Sequence, residues 1–179
     1  MLEFCAIMPN RFGGNDMLEV YVLVKKEKSL AMKFFTILSF VIGAYFMYAT
    51  LVGLIIFFAI AVPFLALGWF LQTRSIEYEY SYFDGDFRFA KIISKQKRKE
   101  LIGYEAENVI VIAPKGDRSL HNYINNPQVK ARDLSSGTKD AKIYGMVSKA
   151  EEGYHLTYFE PDEQYLDAVC IKYRQKVVR

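Results

Sequence analysis

Lys95, Lys97, Arg98 and Lys99 fall within five consecutive positions and form the one concentrated charge feature of the chain. Cationic groups at that density suit phosphate oxygens, and beside an anionic membrane surface each contributes about 1 kcal/mol. These four residues are therefore the candidates for contact with anionic lipid headgroups. The plainer alternative is a solvated hairpin end, because residues 75–179 carry 17 basic and 16 acidic side chains, a net +1. Nucleic-acid binding is not indicated, since there is no domain-wide basic excess.

Other chemistry-bearing residues lack the spacing their chemistry needs. The segment Gly116-Asp117-Arg118-Ser119 has neither the lysine nor the glycine spacing of a phosphate-cradling loop. His121 and His155 are 34 residues apart without an HExxH context, and Cys5 and Cys170 lie at opposite ends without CxxC. His155 is expected on the polar face of a strand and His121 near a loop. Ser135 and Ser136 read as turn residues without a GxSxG setting. Glu77 and Glu79 share a strand face and Asp84 and Asp86 flank Gly85, the pattern of solvated strand and turn carboxylates. Cys170 reads as a small apolar residue on a helix. The expectation is no catalytic, cofactor-binding or metal-binding residue and no cofactor.

The elements that would position the basic cluster follow from the distribution of charge. The 179 residues are 52% hydrophobic and 24% charged, yet the 40 positions between Lys33 and Arg74 hold no Asp, Glu, Lys or Arg. With 14 Phe, 13 Tyr and 2 Cys, the chain is neither a disordered tail nor a disulfide-rich mini-protein. One helix over residues 34–71 would be about 57 Å long, against a hydrocarbon core of about 30 Å. A hairpin of two spans fits instead, one near 33–48 and one near 51–71, with a turn around Ala49, Thr50 and Gly53. Tyr45 and Tyr48 then lie towards one boundary and Trp69 towards the other.

Lys25, Lys26, Lys28 and Lys33 precede the spans, Arg74 and the basic residues of 91–99 follow them, and the hairpin tip has none. That bias predicts a two-pass protein of the inner membrane with both termini cytoplasmic. A cleavable signal does not fit so long an apolar run, and Leu2, Glu3 and Phe4 are the wrong neighbours for a lipoprotein Cys5. Gly43, Ala44, Gly53, Ala59, Ala61, Gly68 and Pro63 suit close helix packing, although no clean small-xxx-small pair such as GxxxG is expected. The absence of charge inside the spans disfavours transport by this chain alone. Residues 1–16 have no helical period, and Gly13-Gly14 ahead of Met17 suits a ribosome-binding sequence, so 1–16 are a candidate over-called start. Residues 18–24 read as an amphipathic lead-in to a cytoplasmic segment ending at Lys33.

From Ser75 to the end, the pattern is that of one β-rich domain. Ile76, Tyr78, Tyr80 and Tyr82 alternate with Glu77, Glu79 and Ser81, giving a strand with one wet face. Asp84-Gly85-Asp86 marks a hairpin turn, and Phe87 and Phe89 resume the alternation. Further strands are expected at 98–104, 107–113, 128–134, 142–149 and 154–159, with a short helix at 119–124. Residues 162–175 place Leu166, Val169, Cys170 and Tyr173 at helical spacing, with acids at the start and bases at the end. Seven strands then a helix, behind a transmembrane hairpin, make the fold class α+β with a pleckstrin-homology-like domain.

The hairpin followed by IEYEYSYFDGDFRFAKI, KQKRK and ENVIVIAP resembles a family of small bacterial two-pass proteins. More distantly, it is similar to bacterial membrane proteins with a pleckstrin-homology-like domain. The resemblance covers roughly residues 17–179 and implies fold and location, with no catalytic residues. The basic cluster departs from the eukaryotic lipid-binding pattern, for it falls between the second and third expected strands rather than in the first hairpin. The resulting expectation is a non-enzymatic binding or scaffolding module at the inner membrane face, in contact with the bilayer and with a membrane partner or further copies of itself. The alternative is a small accessory subunit of a membrane transport or export complex.

Overall fold

A computed structural model describes residues 19–53 and 55–178, so the candidate over-called start at 1–16 and Cys5 lie outside the described residues. Two compact units emerge: Glu27–Ser75, and the residues on either side of it.

The first unit is a pair of packed helices, α1 (Leu30–Leu51) and α2 (Phe58–Thr73), joined by a short 3-10 turn at Ile55–Phe57. Ser29 caps α1 by accepting from the Met32 amide at 3.2 Å. The expected turn at Ala49 and Thr50 is helical instead, and Leu51 ends the first helix rather than opening the second. Thr50 continues the helix by donating its hydroxyl to the Phe46 carbonyl at 2.9 Å. The chain reverses only where Gly53 adopts φ +101°, which favours glycine. The α1 helix and the stretch Ile55–Thr73 are each long and apolar enough to cross a membrane.

Small residues set how closely the helices approach. Thr36, Ser39 and Gly43 of α1 and Ala61 and Gly68 of α2 are buried, whereas Ala44 and Ala59 are exposed. A Cβ on Gly43 would meet the Leu65 side chain at 2.8 Å, and one on Gly68 the Phe40 ring at 3.2 Å. Ser39 donates to the Phe64 carbonyl at 2.7 Å, so Ser39 and Gly43 supply a small-xxx-small contact, contrary to the expectation that no such pair is present. Lys28 closes the open end, its ammonium donating to the Leu71 and Gln72 carbonyls at the C-terminus of α2.

The second unit contains two four-stranded sheets among the described residues. In the first, β1 (Glu19–Lys25), β2 (Ile76–Phe83), β3 (Asp86–Ile93) and β4 (Lys97–Glu105) pair antiparallel in that order. The second sheet runs β5 (Val109–Pro114), β7 (Tyr144–Ala150), β8 (Gly153–Phe159) and β6 (Val129–Asp133), with β6 parallel to β8. A single turn, α3 (His121–Ile124), precedes β6, and α4 (Glu163–Tyr173) follows β8.

β1 corrects the sequence reading. Residues 18–24 were expected as a lead-in, yet Val20 to Val24 pair residue for residue with Tyr82 to Tyr78 of β2, and Val22 is buried. Eight strands therefore replace the seven expected. The partner of β1 lies more than fifty residues away, so nothing local marks it as half of a ladder. The helical hairpin is thus inserted into the β1–β2 connection, and the ladder continues to its base through Lys26 N–H donating to the Ile76 carbonyl at 2.8 Å.

Aromatic rings fill the space between the sheets. Phe159 packs edge-on against Tyr80, Phe89 and Tyr165, with centroids 5.5 to 5.9 Å apart, an arrangement favoured by ring quadrupoles. Tyr165 of α4 is fully buried, held at the helix start where Asp162 accepts from its amide at 2.7 Å. Of the expected helix face, Leu166 and Val169 are buried and Tyr173 packs against the core, and Tyr165 and Ala168 are buried beside them.

Candidate functional site

The basic residues of 95–99 occupy the β3–β4 turn and the first residues of β4, all of them exposed. The turn is tight: Gln96 N–H donates to the Ile93 carbonyl at 3.1 Å, while Ser94 and Lys95 adopt φ values of +52° and +57°. Two successive non-glycine residues in the left-handed region are uncommon, and Lys95 stands where Asn or Gly would be unstrained.

Strand alternation then divides the predicted cluster. Cross-strand partners lie on one face of a sheet. One row runs Val24, Tyr78, Lys91, Lys99, and the next Ile76, Ile93, Lys97. Tyr78 belongs to the core and Ile76 packs against it, so Lys91, Lys97 and Lys99 share the inner face near the end of the sheet. Arg98 lies on the opposite face. Its Nη2 is 2.7 Å from Glu79 Oε1, its Nε donates to both Glu79 oxygens, and its Nη1 is 3.4 Å from Glu100. The Glu79 hydrogen bonds and charge raise the Arg98 pKa, fixing the guanidinium as a cation. Glu79 is thus an ion-pair partner rather than a purely solvated carboxylate.

The sequence reading missed one member of this group, Lys91, and a further lysine, Lys26, at the same end of the sheet but on its opposite edge. Lys91 is offset by a short turn from Lys97 and Lys99 but directly opposes Lys99 once β3 and β4 pair. Lys26, on the far side of the helical hairpin, donates to the Tyr78 hydroxyl at 3.3 Å with its ammonium 5.5 Å from the ring centroid. Antiparallel order explains the convergence, since the end of β1, the start of β2, the end of β3 and the start of β4 fall at one end of the sheet. With β1 counted, the basic turn lies between the third and fourth strands, at the same sheet end as the β1–β2 opening. Asp133 is the acid that feels Lys26. Burial raises its pKa, but hydrogen bonds from Ser135 and the charges of Lys115 and Lys26 lower it overall.

The other candidates are held in structural roles. Ser135 donates its amide and hydroxyl to Asp133 Oδ1, and Ser136 does the same to Glu160 Oε1, at distances of 2.6 to 2.9 Å. Asp84 has φ +45° in the β2–β3 turn and lies 3.5 Å from Lys172, and Asp86 lies 3.5 Å from Arg88. His121 is exposed on α3. His155, expected on a polar face, instead turns between the sheets, with Nδ1 3.1 Å from the Tyr104 hydroxyl and a buried Nε2 that has no hydrogen-bond partner among the described residues. Burial, with Arg132 and Lys130, lowers its pKa. Among the described residues no three His, Cys, Asp or Glu side chains converge as metal ligands.

No curated protein and no solved structure gives a significant match to the chain. The family profile described as Bacterial PH-like domain (DUF6106) matches residues 18–179, a span that includes β1, the inserted helices, both sheets and α4. The chain therefore belongs to the family of bacterial PH-like domain proteins.

Proposed function

We propose that this is a two-pass protein of the inner membrane with both termini cytoplasmic. Its PH-like domain acts as a non-enzymatic binding or scaffolding module that engages anionic headgroups. The observation that carries the reading is the apolar surface left uncovered on α1 and α2. Leu30, Ile55, Tyr45 and Trp69 are 83, 80, 68 and 69% exposed, which suits lipid and is costly in water. Both helices are charge-free after Lys33, and the flanking lysines favour cytoplasmic ends. Links of only a few residues, 26–29 and 74–75, tie the β1–β2 opening to the helices, and antiparallel order places the β3–β4 turn at that same end of the sheet. A cationic turn tethered so closely to a bilayer suits headgroup contact.

Reporter fusions at Arg179 and within the Val52-Gly53 turn test the topology. The expected result is a cytoplasmic signal at the first and an external signal at the second, with the protein retained in membranes after alkaline extraction. An external C-terminus or release by alkali overturns the reading. Stoichiometric co-purification of another membrane protein in mild detergent would favour the accessory-subunit role instead.

A further inference from the structure

Directly opposed like charges destabilise a strand pair. Lys91 and Lys99 are such a pair, and Lys97 precedes Lys99 by two positions on the same face. Among the described residues none of these three ammonium groups has an ion-pair or hydrogen-bond partner. The nearby acids face elsewhere: Glu79, Glu100 and Glu77 sit on rows that include Ala90, Ile92 and Arg98, on the outer face. Lys26, at the opposite edge of the sheet, is held apart from them by the Tyr78 hydroxyl and acts on Asp133. Lys91, Lys97 and Lys99 therefore form a cationic row with no ion-pair partner among the described residues.

We infer that Lys91, Lys97 and Lys99, at the solvent-accessible end of the sheet, form a site for the phosphate of an anionic lipid headgroup. The inference rests on the membrane reading above and names the residues that would do the binding. Lysine ammoniums are compact multi-donor charges that can surround a tetrahedral phosphate, whereas planar bidentate recognition would call on arginine. The one guanidinium in the basic turn is already held by Glu79. A bound phosphate would relieve the repulsion between Lys91 and Lys99, so the site predicts opposite effects of one substitution on stability and on binding.

The test uses the full chain in phosphatidylcholine nanodiscs, with phosphatidylglycerol titrated in and unfolding of the β unit followed by near-UV circular dichroism. Wild type should unfold at higher temperature as phosphatidylglycerol is added. The double variant Lys91→Gln, Lys99→Gln should unfold no lower than wild type in pure phosphatidylcholine. Its apparent affinity for phosphatidylglycerol should fall about thirtyfold, about fivefold for each lysine. Lys95→Gln, at the turn tip, should cost no more than a single step of that size. Absence of any phosphatidylglycerol effect on wild type overturns the lipid-binding reading and the site with it. A phosphatidylglycerol effect that survives in the double variant but disappears in Lys95→Gln overturns the site alone. A wild-type response to inorganic phosphate in pure phosphatidylcholine that matches the phosphatidylglycerol response assigns the site to free phosphate and overturns the headgroup assignment.

Discussion

Two buried tyrosines show how a single hydroxyl is decided by its partner. Tyr80 donates to the Leu134 carbonyl at 2.5 Å, tying β2 to the end of β6, whereas the Tyr165 hydroxyl is buried with no partner among the described residues. Burial pushes both phenols well above their ordinary pKa, so each stays neutral. Tyr80→Phe leaves a buried carbonyl unsatisfied and should cost about 1–3 kcal/mol in urea unfolding, while Tyr165→Phe should be near neutral or stabilising. His155 supplies the pH dependence. Its pKa is lowered from 6.5 by burial, then by Arg132 and Lys130, with Glu152 opposing. The folded state then binds fewer protons than the unfolded chain, so stability is full above about pH 6.5 and falls as pH drops below it. Unfolding midpoints measured across that range should decline for wild type and decline less for His155→Gln. The alternation of Tyr78, Tyr80 and Tyr82 was legible in sequence because a strand's period is local. The fate of each hydroxyl was not, since the acceptor for Tyr80 lies 54 positions away.

Elements were legible wherever their signal repeats within a few residues. The β2–β3 hairpin, the β7–β8 pair and the start of α4 fall within a residue or two of expectation, because alternation, Asp-Gly turns and capping acids are short-range. β1 escaped because its register is defined only by β2. Of the expected turn residues Gly53 does reverse the chain, while Ala49 and Thr50 stay helical because small side chains fit a helix and the Thr50 hydroxyl is satisfied within it. Helix packing gives a prediction at this scale. Gly43→Ile should force α1 from Leu65 and lower the unfolding midpoint of the full chain in detergent, by about 1–3 kcal/mol, with Ala44→Ile on the exposed face close to neutral. Ser39→Ala should lose about 0.6 kcal/mol, the usual worth of one interhelical hydrogen bond.

For the whole molecule, the decisive feature is that an apolar hairpin interrupts a β-sheet between two paired strands. Replacing 27–75 with Asn-Gly should join β1 to β2 by a tight turn and yield a soluble protein with a β-dominated circular dichroism spectrum. A chain beginning at Ser75 lacks β1, uncovers the edge of β2 beside Tyr80 and Tyr82, and should unfold at lower denaturant or aggregate. Equal stability of the two would contradict the eight-strand arrangement. Composition alone determined the charge-free stretch and its basic flanks, since the absence of ionisable side chains over 40 residues needs no folding to read. Short-range periodicity likewise determined the β-rich character of the rest. Only the tertiary structure decided that β1 completes the first sheet, that Lys91 joins Lys97 and Lys99, and that Arg98 leaves them for Glu79. Each depends on which strand lies beside which and in what register, and a one-residue shift in register would move every one of those side chains to the other face.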